Sequence, residues 1–145
     1  LSKEQENKRV ISFSDQMTIV GLWAIGEQNL ATIFKTYIHY TSGVDIDSIE
    51  APYKWQDFKR EFRNLGIDLS ACENFHNANE CRVLNNAIKH DPIVNNSLLQ
   101  FDYFKHYSGI MLEDVPLDML RYLNGVSDFL GSLIEKCNKN LETHA

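Results

Sequence analysis

The sequence predicts an all-α fold, a bundle of four to five helices. Apolar residues recur at spacings of three and four through several long segments, and this period is typical of amphipathic helices. Prolines and glycines fall where these segments begin or end, as expected of helix boundaries. With 145 residues, the chain can bury its core without disulfides or a metal. We therefore treat residues 1–145 as a single helical domain.

Composition and charge narrow the classes of function. The chain is 43% hydrophobic and 23% charged, as ordinary globular proteins are, and its apolar runs fall short of the ~20 residues that span a membrane. Its three cysteines, an odd number, are interpreted as reduced thiols of a cytoplasmic protein. The net charge of −6 argues against gripping duplex DNA by phosphate neutralisation. It leaves brief contact with a single strand as the expected form of nucleic-acid binding.

The first third of the chain predicts one long helix. Residues 1–13 are polar and of mixed charge, and they are either a solvated helix start or a flexible, frayed arm. Ser14 offers an N-cap, and helical spacing runs from Met17 to Tyr40. The polar stretch from Ser42 to Glu50 is interpreted as a loop.

Two further helices follow. Pro52 suits the first turn of the second helix and Gly66 its end. The third helix is expected from about Cys72 to Lys89. It must stop there, because the residue before a proline avoids the α region, and Asp91 precedes Pro92.

The last third combines a loop, an aromatic patch and a final helix. The patch (Phe101, Tyr103, Phe104 and Tyr107) is favoured as core or interface over a platform that stacks bases. A short extended segment is predicted near 109–113. The final helix is expected from Pro116 to about Asn138. Its two glycines, Gly125 and Gly131, suggest close approach of another helix, and we assign this helix to a self-association surface.

The third helix carries the candidate site. At ~100° per residue, one face covers a fan of roughly 140° and holds two cations, two amides and an imidazole; its members are Arg82, Asn85, Asn86, Lys89 and His90. The opposite face is apolar and predicted to be core; its members are Cys81, Val83, Leu84, Ala87 and Ile88. Side chains three and four apart touch on a helix, so the polar groups can act together. The ordinary alternative is a solvated helix surface.

Conventional catalytic and cofactor motifs are absent, since the sequence has no glycine-rich phosphate loop, HExxH or GxSxG. Cys72 and His76 stand four residues apart, a spacing that can hold a metal. Two ligands without a third are weak evidence, and we favour a core cysteine and a surface histidine. No metal or cofactor is expected.

An Asn-x-x-Lys-His ending of a helix, here Asn86 to His90 with Arg82 a turn earlier, resembles the signature helix of the HEPN superfamily. The layout is also similar: the signature lies late in the third of four main helices, before a short glycine-containing segment and a long final helix. The resemblance implies a HEPN-type helical bundle, often a dimer. Many such domains are metal-independent endoribonucleases of toxin–antitoxin, abortive-infection and CRISPR-linked defence, and others bind nucleotides or are inactive partners.

The resemblance also assigns residues. His90 matches the family histidine and Asn86 the polar residue after the family arginine, whereas the arginine's own place is held by Asn85. Arg82, on the same face, is the candidate substitute. The roles implied are acid–base catalysis for His90, phosphate contact for Arg82, added positive charge for Lys89 and orientation of the imidazole or a phosphate oxygen for Asn86.

Three functions follow as hypotheses. The first is a HEPN-like, metal-independent endoribonuclease or toxin that acts on single-stranded RNA as a homodimer, with an antitoxin or defence-system partner. The second is a catalytically inactive HEPN-like module for dimerisation, nucleotide binding or protein interaction. The third is an unrelated helical interaction domain in which the motif is coincidence.

Overall fold

A computed structural model describes residues 1–143, and the regular elements of this part are all helical, which confirms the all-α prediction. Five α-helices are joined by loops and short 3₁₀ turns; they are α1 (Lys3–Ser42), α2 (Trp55–Asn64), α3 (Phe75–His90), α4 (Asn96–Leu99) and α5 (Met119–Thr143). α1, α3 and α5 pack on one another and form the centre of the bundle.

The two longest helices run in the same direction. Gly26 of α1 faces Val126 of α5, and farther along both helices Tyr37 and Cys137 line one apolar groove. This pairing leaves the opposite side of each helix for α3 or for solvent.

α3 runs against the direction of α5. Near the start of α3, the Asn74 side chain donates to Asp128, and farther along, Glu80 accepts from Tyr122, which stands earlier in α5. Gly125 lies where the two helices approach most closely. The helix that packs closely against Gly125 is therefore α3 of the same chain. From the sequence we had assigned this glycine to a self-association surface.

The core is formed mainly by aromatic and leucine side chains. Its largest fully buried members are Tyr122, Phe62, Phe101, Phe104, Phe129, Ile19, Leu30, Leu69, Leu84, Leu98, Leu112 and Leu133. Two of them belong to the aromatic patch, whose other members, Tyr103 and Tyr107, are half-buried. The interpretation of the patch as core is confirmed for its two phenylalanines.

The polar N-terminus is helical from Lys3 onward, as in the helix-start interpretation of residues 1–13. The physical reason is a capping box: the Gln5 backbone N–H donates to the Ser2 hydroxyl, while the Gln5 side chain accepts from the Ser2 backbone N–H. No side chain from Lys3 to Thr18 is buried. The capping box and the helix's own backbone hydrogen bonds, not core packing, therefore stabilise this part of α1.

Three predicted helix starts were placed three residues early. α2 begins at Trp55, not Pro52, α3 begins at Phe75, not Cys72, and α5 begins at Met119, not Pro116. For α5 the cause is visible, because the Pro116 carbonyl accepts from the Tyr103 hydroxyl instead of from a helical amide.

Candidate functional site

A surface pocket of about 490 Å³ lies beside the C-terminal half of α3. Its lining residues are Arg82, Val83, Asn86, Ala87, His90, Asp91, Asn95, Ser97 and Gln100. Three of the four predicted site residues are among them. The fourth, Lys89, is exposed on α3 outside this lining.

The end of α3 shapes one side of the pocket. The helix stops at His90, within one residue of the predicted boundary, because Pro92 cannot continue it. The chain then pairs with the segment predicted to be extended: the Val94 N–H donates to the Ile110 carbonyl at 2.9 Å, and the Leu112 N–H donates to the Pro92 carbonyl at 3.0 Å.

This pairing corrects the prediction for 109–113 in part. Ile93 and Met111 form a single antiparallel bridge, and a 3₁₀ turn from Leu112 to Asp114 follows at once. The extended segment is thus one bridge long, and it fixes the path by which the chain leaves α3.

The opposite wall is α4 and the residue after it. Asn95 uses both ends of its amide, donating to Asp91 at 3.2 Å and accepting from the Leu98 N–H at 3.2 Å. The Gln100 amide donates to the Ser97 carbonyl at 2.6 Å. Among residues 1–143, nothing bonds the Ser97 hydroxyl or the Gln100 side-chain oxygen, so both can serve a ligand.

Arg82 lies at the pocket's far end in a fixed orientation. Its Nε and Nη2 atoms donate to Asn79 Oδ1 at 3.1 and 2.9 Å, and its guanidinium lies 5.0 Å from the centre of the Trp55 ring. Asn79 stands one turn earlier on α3, so the guanidinium points away from His90. No carboxylate of the described chain lies within ion-pair distance. Burial lowers the pKa of Arg82, and the charge of Glu27 opposes that effect.

Asn86 and His90 form the other end. Both are exposed, and a spacing of four residues makes them neighbours on the helix surface. Arg82 precedes His90 by eight residues, which is ~12 Å along the helix axis. All three of the predicted arginine, amide and imidazole thus line one pocket, but the arginine lies apart from the other two.

Asn85 departs from the predicted polar face, because it is only 3% exposed. It continues the stripe of Ala78 and Cys81, seven and four residues earlier, and both of these are buried. Its side-chain oxygen is buried and, within residues 1–143, has no hydrogen-bond partner. The residue at the family arginine's place is thus part of the interior and does not line the pocket.

The sequence interpretation missed a buried polar network between α3 and α5. The Glu80 carboxylate is 1% exposed and accepts from Arg121 and Tyr122, both at 2.5 Å. Arg121 also donates to Asn77 at 2.8 Å and stacks on the Tyr103 ring, 5.0 Å from its centre. Tyr103 follows the pocket-lining Gln100 by three residues, so this network contacts the segment that continues from the pocket wall.

One local signal of that network was present in the sequence. Glu80 stands three and four residues before Val83 and Leu84, which places a carboxylate on the apolar stripe of α3. A charge in that position needs a buried partner. Its partners come from a helix about 40 residues away, which no local pattern identifies.

The weak metal candidate does not gather ligands. Cys72 is buried, and burial raises the pKa of its thiol. His76 is exposed with its ring 5.4 Å from that of Phe101. Across residues 1–143, His, Cys, Asp and Glu side chains form no group of three that could hold a metal ion. The core interpretation of Cys72 is confirmed.

Comparison of the chain with protein-family models, curated proteins and solved structures finds no match. Within the described residues, none of the helices is both long and apolar enough to cross a membrane.

Proposed function

We propose that this chain is a HEPN-like domain that binds single-stranded RNA in the pocket beside α3 and cleaves it as a metal-independent endoribonuclease. The observation that carries the proposal is the pocket itself, since Arg82, Asn86 and His90 line one cavity with further amide and hydroxyl groups opposite. These are the residues to which the HEPN resemblance assigns roles.

RNA supplies its own nucleophile, the ribose 2′-hydroxyl. In the proposed reaction the His90 imidazole accepts the 2′-hydroxyl proton as the oxygen attacks the adjacent phosphorus. The bond from phosphorus to the 5′-oxygen breaks, and that oxygen takes a proton from solvent water while the imidazolium returns its proton to solvent, which leaves a 2′,3′-cyclic phosphate and a 5′-hydroxyl. General acid–base catalysis of this kind contributes about 10²–10⁴-fold. Asn86, one turn before His90, orients the imidazole or a phosphate oxygen, and the exposed Lys89 adds positive charge.

The pocket's character favours a single strand. Its cation and amides can bond phosphates and the edges of unpaired bases, and single-stranded segments present those edges. A chain with net charge −6 has no general attraction for a duplex.

Replacement of His90 by alanine tests the catalytic role. We expect His90→Ala to lower the rate of cleavage of single-stranded RNA by at least about 100-fold, because the acid–base group is lost. The helical circular dichroism should stay unchanged, because the imidazole is exposed and its loss does not disturb the core. The wild type should retain its activity in EDTA. His106→Ala, which removes another exposed imidazole outside the pocket, is the matched control and should cleave normally. Undiminished cleavage by His90→Ala would place the chemistry elsewhere.

A second candidate function is an inactive HEPN-like module that binds a nucleotide. It is favoured by the position of the arginine, because Asn85 at the family's arginine place is buried and Arg82 is held toward Asn79. This candidate predicts that the wild type binds RNA or a nucleotide in EDTA but yields no cyclic-phosphate product.

The partners stay predictions. Both pocket walls come from one chain, so a homodimer would add a second copy of the site without being needed to build the first. An antitoxin or another defence-system protein would regulate the nuclease.

A further inference from the structure

The orientation of Arg82 restricts the kind of ligand that the pocket can accept, and this inference rests on the proposed function. The reacting phosphate lies beside the imidazole that activates the nucleophile. An arginine that stabilised this phosphate would therefore have to reach toward His90. Here the Arg82 guanidinium is bonded to Asn79, on the turn that lies farther from His90.

Two contacts hold the guanidinium in this orientation. One edge, Nε and Nη2, is occupied by Asn79 Oδ1, and one face lies over Trp55. Movement toward His90 would forfeit both hydrogen bonds and the cation–π contact.

The remaining edge is suited to a phosphate. Nη1 and the second N–H of Nη2 have no partner among residues 1–143, and together they form the end-on fork that binds two phosphate oxygens. The Arg82 guanidinium is partly buried. It also has no ion-pair partner among residues 1–143. Such a cation gains from an anionic ligand, because an anion offsets the cost of its desolvation.

The separation along α3 then sets the ligand's length. Arg82 and His90 differ by ~12 Å along the helix axis, and a stacked strand advances about 3.4 Å per nucleotide. We propose that Arg82 holds a phosphate three to four positions along the strand from the scissile one, so that the pocket's ligand is an RNA strand with about four consecutive phosphates or more and not a mononucleotide.

A series of uncleavable strands tests this. Oligonucleotides of one, two, four and eight residues with 2′-O-methyl riboses and a 5′-phosphate lack the nucleophile, and their binding is measured by calorimetry in EDTA. The phosphates of the four-residue strand span about 10 Å and those of the two-residue strand about 3.4 Å. For the wild type we expect affinity to rise roughly 10- to 100-fold between two and four nucleotides, the gain of a charge-assisted fork, and to change little beyond that length.

Arg82→Gln should abolish the rise, so that two and four nucleotides bind equally. Arg60→Gln is the matched control, because it removes an exposed arginine of α2 that is paired with acids; it should preserve the rise. On cleavable RNA, Arg82→Gln should raise KM with kcat within about threefold, as expected of lost uniform binding. Should Arg82→Gln fail to fold by circular dichroism, Arg82→Lys, which keeps the charge without the fork, should still lose most of the rise.

Two results would overturn the inference and leave the proposed function intact. One is equal affinity of the wild type for two and four nucleotides. The other is a loss in Arg82→Gln, or in Arg82→Lys, that is as large for two nucleotides as for four, since the arginine would then act beside His90. If the wild type binds none of these strands, both the inference and the proposed function are wrong.

Discussion

Glu80 is a buried charged side chain, and its charge requires hydrogen-bond donors around it. Its buried carboxylate oxygen accepts from Arg121 and from the Tyr122 hydroxyl. Removal of one partner of a buried pair is costly because it leaves the other charge without compensation. The network is therefore expected to act as a unit that fixes α5 against α3 and, through Tyr103, fixes the segment that begins at the pocket wall.

Tyr122→Phe tests this network through pH. Burial, and then the hydrogen bond to Glu80, raise the pKa of Tyr122 above its ordinary value, so the native state keeps the neutral phenol where the unfolded chain ionises. The stability from this group is fully present below about pH 10 and is lost as pH rises above it, at about 1.4 kcal/mol per pH unit.

The expected result has two parts. At pH 7, Tyr122→Phe should cost about 1.5–3 kcal/mol, the value of a hydrogen bond to a charged group. Between pH 10 and 11 the difference between variant and wild type should narrow by about 1 kcal/mol. Urea unfolding across this range measures both, and a gap that stays constant with pH would show that the phenol is not held neutral in the native state.

Asn85 shows what local pattern cannot decide. The helical wheel places it at the edge of the polar fan, and only the packing of α3 determines which side of the edge is buried. Its polarity alone would place Asn85 in solvent. Instead its side-chain oxygen is buried and has no hydrogen-bond partner among residues 1–143. Arg82 illustrates the same limit, since its position on the wheel was predicted correctly while its direction, set by Asn79 and Trp55, was not.

At the scale of elements, periodicity predicted the helices well and their proline-marked starts less well. α3 ends where Pro92 requires, because a missing N–H and a steric clash are local causes. The starts of α2 and α5 fall after their prolines, and at α5 a tertiary contact that no local pattern reveals, the Tyr103 hydroxyl on the Pro116 carbonyl, lies at the boundary. Ile93 and Met111, which form the single bridge, are far apart in the sequence. The sequence therefore predicted only the segment that contains Met111 as extended.

Two glycines of α5 make a matched test of the helix packing. At Gly125 an added Cβ would lie 2.7 Å from the Asn77 Cβ and 3.0 Å from the Ala78 nitrogen, so Gly125→Ala should force α3 and α5 apart and cost about 1–3 kcal/mol.

At Gly131, nothing in the described chain beyond the glycine's neighbours and the local helix backbone lies within 4 Å of that position. Gly131→Ala should therefore stabilise the protein by about 0.5–1 kcal/mol, because alanine favours the helix. Thermal unfolding of the two variants gives opposite signs if the contact is as described. Equal, small effects would mean that α3 and α5 do not approach closely at Gly125.

At the scale of the whole molecule, an acidic chain places a cation, amides and an imidazole along one cavity. The net charge of −6 speaks against general affinity for nucleic acid, so binding must come from the few groups that line the pocket. Such an arrangement favours short single-stranded ligands and strong dependence on individual residues. Fold class and three of the lining residues were predictable from sequence; the opposite wall was not, because α4 is placed against α3 by a loop that pairs with residues farther along the chain.

The most direct test of the account is the NMR signal of the His90 imidazole during titration with an uncleavable eight-nucleotide 2′-O-methyl RNA in EDTA. If RNA binds in the pocket, the His90 ring resonances should shift and saturate with the RNA, while those of His106, which lies outside the pocket, should not move. Unchanged His90 resonances in the presence of bound RNA, or no binding by the strand, would contradict the central claim that this pocket is where RNA binds.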